Sequence, residues 1–259
     1  MTKHSLGGLR VLVTRPQQQA AHLMRLVTAA GGIPIGFPVI EVVPVAKEQW
    51  QQQTLDGVDW LMFVSPNAVT QFCQQWSRTL PAGMKLAAVG GDTTAQAMLS
   101  AGLSVDCIPP ISTGSDGLLT LSELQEMQGQ TVVIVRGNGG RDVLARGLAE
   151  RGANIRYMEV YRREIPAYDK QQKQAALQAD IVSCTSLAGL NNLLQLLADY
   201  RMELQMKPLV VFSERIRRYA LELGFKQVMA TSAFTDEAMV ASLIEMDKQH
   251  GKRRTESAD

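Results

Sequence analysis

Apolar residues come in short runs rich in Val, Ile and Leu, separated by longer stretches where they recur every third or fourth position. The runs read as buried strands and the stretches as amphipathic helices. Residues 9–14 predict a strand, followed by a helix that Pro16 opens and Gly31-Gly32 close. Residues 58–64 predict another, with Ser65 as the cap of a helix that carries Pro66 at its first position, where a missing N–H costs nothing. That helix is expected to reach about Arg78. Residues 85–89 lead through Gly90-Gly91-Asp92-Thr93 into a helix closed by Gly102. Residues 131–135 lead through the glycine-rich turn 136–140 into a helix over 142–151, closed by Gly152. Strands alternating with helices are the pattern of βα units around parallel sheets, so the fold class is α/β.

The pattern also occurs twice. RVLVTRPQQQAAHLMRLVTAAGG from Arg10 is similar to TVVIVRGNGGRDVLARGLAERGA from Thr131, with Val11 on Val132 at an offset of 121 residues. VDWLMFVSPNAV is similar to ADIVSCTSLAGL at the same offset, Asp59 falling on Asp180. A weaker third pair sets MKLAAVGGDTTAQAMLSAGL against MKPLVVFSERIRRYALELGF, at an offset of 122. One α/β unit is therefore duplicated. Residues 37–44 and 158–166 are equivalent in the two copies, extended and bounded by prolines, and read as connectors between two domains. Whether the halves fold as written or exchange segments is open at this level, because each sheet would hold equivalent strands. The polar tail HGKRRTESAD, residues 250–259, is expected to fray.

Composition narrows the function classes. At 259 residues the chain is long enough for two cores, and 46% hydrophobic against 20% charged residues exclude disordered and fibrous classes. No apolar run approaches the ~20 residues of a membrane-spanning helix. Residues 1–15 lack the apolar region of a secretory signal, so a cytoplasmic protein is expected. A formal net charge of +1 gives no single-sign field for nucleic acid or anionic lipid. Cys73, Cys107 and Cys184 have neither disulfide nor zinc spacing and read as small buried hydrophobes, while His4, His22 and His250 form no metal or triad motif. His22 is expected on a helix surface.

The candidate chemistry lies at strand ends. Gly137-Asn138-Gly139-Gly140 stands between a strand and a helix, where backbone N–H groups and the helix dipole suit an anion. It is no dinucleotide fingerprint, since Asp142 occupies the third glycine position, and no P-loop lysine follows. A tight turn without a ligand is the other reading. Hydroxyls stand at helix starts in both copies: Ser65, Thr93 with Thr94, Thr185 with Ser186, and Ser213. Capping accounts for most of them, yet all fall at the carboxyl ends of strands, where open parallel sheets bind ligands. N–H and hydroxyl donors gathered there would suit a polycarboxylate through distributed dipoles, without a lysine patch. Tyr161, beside Arg162 and Arg163 in the second connector, reads as a packing anchor or as a hydrogen-bond donor to a departing hydroxyl. The first strand ends Val13-Thr14-Arg15 with no acidic cluster, which argues against a receiver-type magnesium site.

In order and spacing, these pieces resemble the uroporphyrinogen-III synthase family over residues 9–248. They are Thr14-Arg15-Pro16, FVSPNAV from Phe63, AVGGDT from Ala88, RGNGGRDVLARGLAERGA from Arg136 and VYRR from Val160. The resemblance implies two α/β domains joined by two extended strands, residues 1–37 with 166–259 forming one and 41–160 the inserted other. It implies that hydroxymethylbilane lies between them and is cyclised with loss of water and inversion of ring D through a spiro intermediate. No metal and no organic cofactor is implied. The family's tyrosine and the threonine of its VGxxT turn match Tyr161 and Thr93, which gives Tyr161 the catalytic role. Thr14, Arg15, Ser65, Thr93, Gly137, Asn138, Ser186 and Ser213 are the expected substrate-binding residues. The second copy departs from the pattern, reading Phe212-Ser213-Glu214-Arg215-Ile216, so Ser213 alone stands for the missing threonine. A monomer is expected, with at most transient contact with the preceding enzyme of the pathway, and no nucleic-acid or membrane partner. Two other readings stay open: a two-lobed binding protein without catalysis, and a regulatory scaffold recognisable by an exposed apolar patch.

Overall fold

The computed structural model describes residues 5–50, 54–110, 114–140 and 142–256. Its elements alternate along the chain: β1 (Arg10–Val13), α1 (Gln17–Ala29), β2 (Ile33–Gly36), β3 (Glu41–Pro44), β4 (Trp60–Phe63), α2 (Pro66–Gln75), β5 (Lys85–Ala88), α3 (Asp92–Ser100), α4 (Gly114–Leu118) and β6 (Thr131–Gly137). There follow α5 (Val143–Glu150), β7 (Asn154–Glu164), α6 (Lys170–Leu177), β8 (Ile181–Cys184), α7 (Leu187–Leu196), α8 (Arg201–Met206), β9 (Leu209–Val211), α9 (Glu214–Glu222), β10 (Val228–Ala230) and α10 (Asp236–Glu256). The chain divides into two compact units, Met1–Glu41 with Glu164–Asp259, and Val42–Arg163. It passes from one unit to the other within β3 and within β7.

In the first unit a five-stranded parallel sheet runs β10-β9-β8-β1-β2. Its central strands are continuous apolar runs because helices cover both faces. Alternate residues feed two layers: Val11, Val13 and Ile181 pack with α1 and α10, whereas Leu12, Val182 and Cys184 pack with α6, α7 and α9. The polar residues in these strands are satisfied within the sheet. Ser183 Oγ donates to Leu12 O at 2.9 Å, and Thr14 Oγ1 donates to Ser183 O at 2.7 Å. Asp180, just before β8, accepts from the Arg10 backbone N–H at 2.9 Å and pairs with its guanidinium at 2.7 Å, which braces the amino ends of β1 and β8.

In the second unit the sheet runs β3-β7-β6-β4-β5, with β7, β6, β4 and β5 parallel. Leu61, Phe63, Val133 and Val135 face α2 and α3, while Trp60, Met62, Val132 and Ile134 face α4 and α5. Asp59 here accepts from Thr131 N at 2.8 Å, bracing β4 and β6 at their amino ends. β6 passes through α5 to β7 on one side and β4 passes through α2 to β5 on the other, so the strand order reverses between β6 and β4. In open α/β sheets the crevice at such a reversal, outside the carboxyl ends, is where ligands bind.

Three expectations differ from the structure. The helix expected to reach Arg78 stops at Gln75, because Trp76 leaves it to stack on Phe72 and Trp50, with ring centroids 5.2 and 6.3 Å away. β6 takes in Arg136 and Gly137, which read as turn residues. The terminal helix continues to Glu256, so residues 250–256 of the expected frayed tail are helical, and residues 257–259 lie outside those described. Of the three cysteines, Cys107 and Cys184 are buried and Cys73 is only partly so.

The Arg10–Asp180 pair gives a pH signature. Hydrogen bonds from Arg10 hold the Asp180 carboxyl below its ordinary 3.8. A depressed folded-state value contributes stability that is present above the unfolded value and lost as pH falls through the folded one. The stability lost in Asp180→Asn should therefore be constant above about pH 5, shrink as the pH falls below 3.8 and vanish below the depressed folded-state value. Urea unfolding across a pH series checks this, and a difference independent of pH would contradict it.

Candidate active site

A cleft of about 380 Å3 opens at the reversal in the second unit, lined by Val64 after β4, Arg136 and Gly137 at the end of β6, Asn138 to Gly140 after it, Gly90, Ser115, Tyr157, Tyr161 and Arg163. Tyr161 reaches it through an irregularity in β7. Arg136 pairs with Glu159 but Gly137 pairs with Tyr161, so β7 carries one extra residue at this point. Such a bulge turns a side chain to the other face. Val160 and Tyr161 are consequently both buried, where a regular strand would alternate. The Tyr161 ring, 1% exposed, lies directly over Gly137, and a Cβ added there would come 2.5 Å from Tyr161 Cζ. The chain ends are tied as well: Asn138 N–H donates to Tyr161 O and Arg163 N–H donates to Asn138 Oδ1, both at 3.0 Å.

The phenol meets two neighbours. Ser65 Oγ lies 3.2 Å from Tyr161 OH, and Arg163 Nη2 lies 3.5 Å from it. Ser65 is held because it caps α2, accepting from Ala68 N–H at 3.2 Å with Pro66 behind it. The glycine turn is organised by Arg136, which is 8% exposed. Its guanidinium donates to the carbonyls of Gly137 and Gly139, pairs with Asp142 at 2.9 Å and lies 4.8 Å over the Tyr157 ring. Asp142 in turn accepts from Tyr157 OH at 3.1 Å. Hydrogen bonds from Arg136 and then Tyr157 hold the Asp142 carboxyl below its ordinary range, while burial and then Asp142 push the Tyr157 phenol up.

The structure thus brings Ser65, Gly137, Asn138 and Tyr161 together. Thr93 is an exposed residue in the first turn of α3 beyond Gly91, and the buried hydroxyl of that turn belongs to Thr94, under Gly90. In the first unit, Ser186 and Ser213 cap α7 and α9 at strand ends, accepting from Gly189 and Ile216 N–H. Thr14 is buried with its hydroxyl committed to Ser183, so it serves the sheet instead of a strand-end surface. Arg15 is ion-paired to Asp236, whose second oxygen lies 3.0 Å from Nδ1 of the half-exposed His22. The cleft has no lysine among its lining residues, as expected, but two guanidiniums line it beside the backbone dipoles. Arg136 could have been noticed as a charge ending the apolar run VVIV. Arg163 was visible in VYRR, but nothing local gave it a task. Among the described residues no group of three His, Cys, Asp or Glu side chains is gathered as a metal would require, and no helix is long and apolar enough to cross a membrane.

Because a rigid ring covers Gly137, Gly137→Ala should displace Tyr161 and cost both activity and about 1–3 kcal/mol of stability. Turnover and urea unfolding of the variant check this, and wild-type values for both would contradict the arrangement described.

Comparison with known proteins gives the family. A family model described as uroporphyrinogen-III synthase HemD matches residues 21–241. The uroporphyrinogen-III synthase of Escherichia coli K12 is 31% identical over 250 residues, covering 91% of this chain and all of the relative. That of Salmonella typhimurium is 29% identical over 248 residues, with the same coverage. Among solved structures, the uroporphyrinogen-III synthetase of Helicobacter pylori superposes with a TM-score of 0.61 at 13% identity, over 93% of this chain and 98% of that one. A mutant of the Thermus thermophilus uroporphyrinogen III synthase gives 0.57 at 19%, over 95% and 99%. These last two show the shared α/β fold. By the family match and the length of the similarity, the chain belongs to the uroporphyrinogen-III synthase family, cyclising lyases of haem biosynthesis.

Proposed function

We propose that this lyase closes hydroxymethylbilane to uroporphyrinogen III with Tyr161 as the proton donor to the departing hydroxyl. The observation that carries the reading is Tyr161 itself, which lines a cleft at the strand-order reversal beside two guanidiniums and a glycine turn. As the hydroxymethyl C–O bond breaks, the phenol proton passes to the oxygen, which leaves as water. The lone pair of the pyrrole nitrogen holds the resulting azafulvene. Ring D attacks through its substituted carbon to give the spiro intermediate, which opens and recloses with that ring inverted. The proton released on rearomatisation restores the phenol. Unassisted closure leaves ring D uninverted, so orientation is the larger part of the work.

Orientation comes from the acid side chains of the substrate. The N–H groups of the Gly137 to Gly140 turn other than that of Asn138, together with Arg163 and Thr93, are the proposed carboxylate contacts in the second unit. Arg15, Ser186 and Ser213, at strand ends of the first unit, are proposed as further contacts. Ser65 serves differently, through the phenol. We also infer that the two units derive from one module and that the crossings within β3 and β7 are its connectors. The sequence offsets support this, as do the orders β2-β1-β8-β9 and β7-β6-β4-β5, which match strand for strand. Asp180 and Asp59, equivalent in the repeat, each accept from the backbone of the equivalent strand, at Arg10 and Thr131.

Purified protein given hydroxymethylbilane should yield isomer III, and Tyr161→Phe should lower kcat by about 100-fold while leaving folding nearly unchanged. Oxidation of the products and separation of isomers checks both. Isomer I alone from the wild-type protein, or wild-type kcat in Tyr161→Phe, would overturn the reading.

A further inference from the structure

We infer that Arg163 sets the direction in which Tyr161 gives its proton, and that the same guanidinium anchors a carboxylate of the substrate. The inference rests on the reading of Tyr161 as donor. A phenol oxygen has one hydrogen to give and lone pairs to fill. Arg163 can only donate, because a guanidinium has no acceptor. Ser65 Oγ accepts from Ala68 N–H as the cap of α2 and keeps a hydrogen and a second lone pair, so it can meet the phenol as donor or as acceptor. With Ser65 as the donor, N–H from one side at 3.5 Å and O–H from the other at 3.2 Å fill the Tyr161 oxygen as an acceptor and leave its hydrogen for the substrate. Without Arg163, the phenol is free to rotate its O–H onto Ser65, and the substrate oxygen loses its donor.

The charges support the second half of the inference. Arg136 is spent on Asp142 and on two turn carbonyls. Arg163 forms no ion pair among the described residues, and its backbone is fixed by Asn138 while its side chain stays exposed at the cleft. One N–H on the phenol leaves most of its five donors for a carboxylate, and a planar fork fits that group in a bidentate way. An acid side chain seated there holds its pyrrole against the phenol.

A double-mutant cycle tests this, with kcat and KM for isomer III formation measured in the wild type, Arg163→Gln, Tyr161→Phe and the double variant. Urea midpoints confirm that each is folded, and Arg163→Lys retains the charge if the glutamine variant folds poorly. Arg163→Gln should raise KM and lower kcat about tenfold or more. In the Tyr161→Phe background it should raise KM but lower kcat no further, and Arg163→Lys should recover KM. Equal losses of kcat in both backgrounds, or unchanged kcat in Arg163→Gln, would overturn the inference while leaving Tyr161 as donor. A Tyr161→Phe enzyme at wild-type kcat would overturn the donor reading and this inference with it.

Discussion

The extra residue that β7 carries opposite Gly137 is the constraint on which the cleft depends. It turns Tyr161 onto the same side as Val160, and the ring then needs a neighbour with no side chain, which Gly137 provides. Sheet pairing on both sides of the bulge fixes the ring's position, so the phenol is placed by backbone geometry and not by a flexible loop. Rigid placement of this kind suits a reaction in which orientation decides the product.

Around that ring the polar groups divide the work. Arg136 is buried, neutralised and turned toward the carbonyls of the glycine turn, while Asn138 N–H is given to Tyr161 O. Asp142 keeps Arg136 from being an uncompensated buried charge, whose cost would be several kcal/mol. Arg163 stands at the surface with no such partner among the described residues. Ser65 joins the helix cap to the phenol, so a residue that stabilises α2 also holds the Tyr161 hydroxyl.

Much of this was legible locally. The α/β class follows from apolar runs alternating with helical periodicity, and the caps at Ser65, Ser186 and Ser213 follow from hydroxyls before helix starts, because cap chemistry involves only the next three residues. What depends on pairing was not legible. The bulge requires knowing that β6 lies beside β7 with a shifted register, and no residue in MEVYRR announces it. The tasks of Arg136 and Arg163 depend on Asp142, on Tyr157 and on a phenol oriented by that bulge. Thr14 illustrates the converse: a motif at a strand end pointed to ligand, yet its hydroxyl serves the sheet by donating to Ser183 O, on a strand 169 residues away in sequence.

Proton donation to a leaving hydroxyl is the central step, and a change of leaving group examines it alone. A bilane carrying an acyloxymethyl group in place of the hydroxymethyl releases a carboxylate, which needs no proton. With that substrate the Tyr161→Phe enzyme should form isomer III at nearly the wild-type rate while remaining slow on hydroxymethylbilane; equal slowing on both substrates would contradict the role given to the phenol.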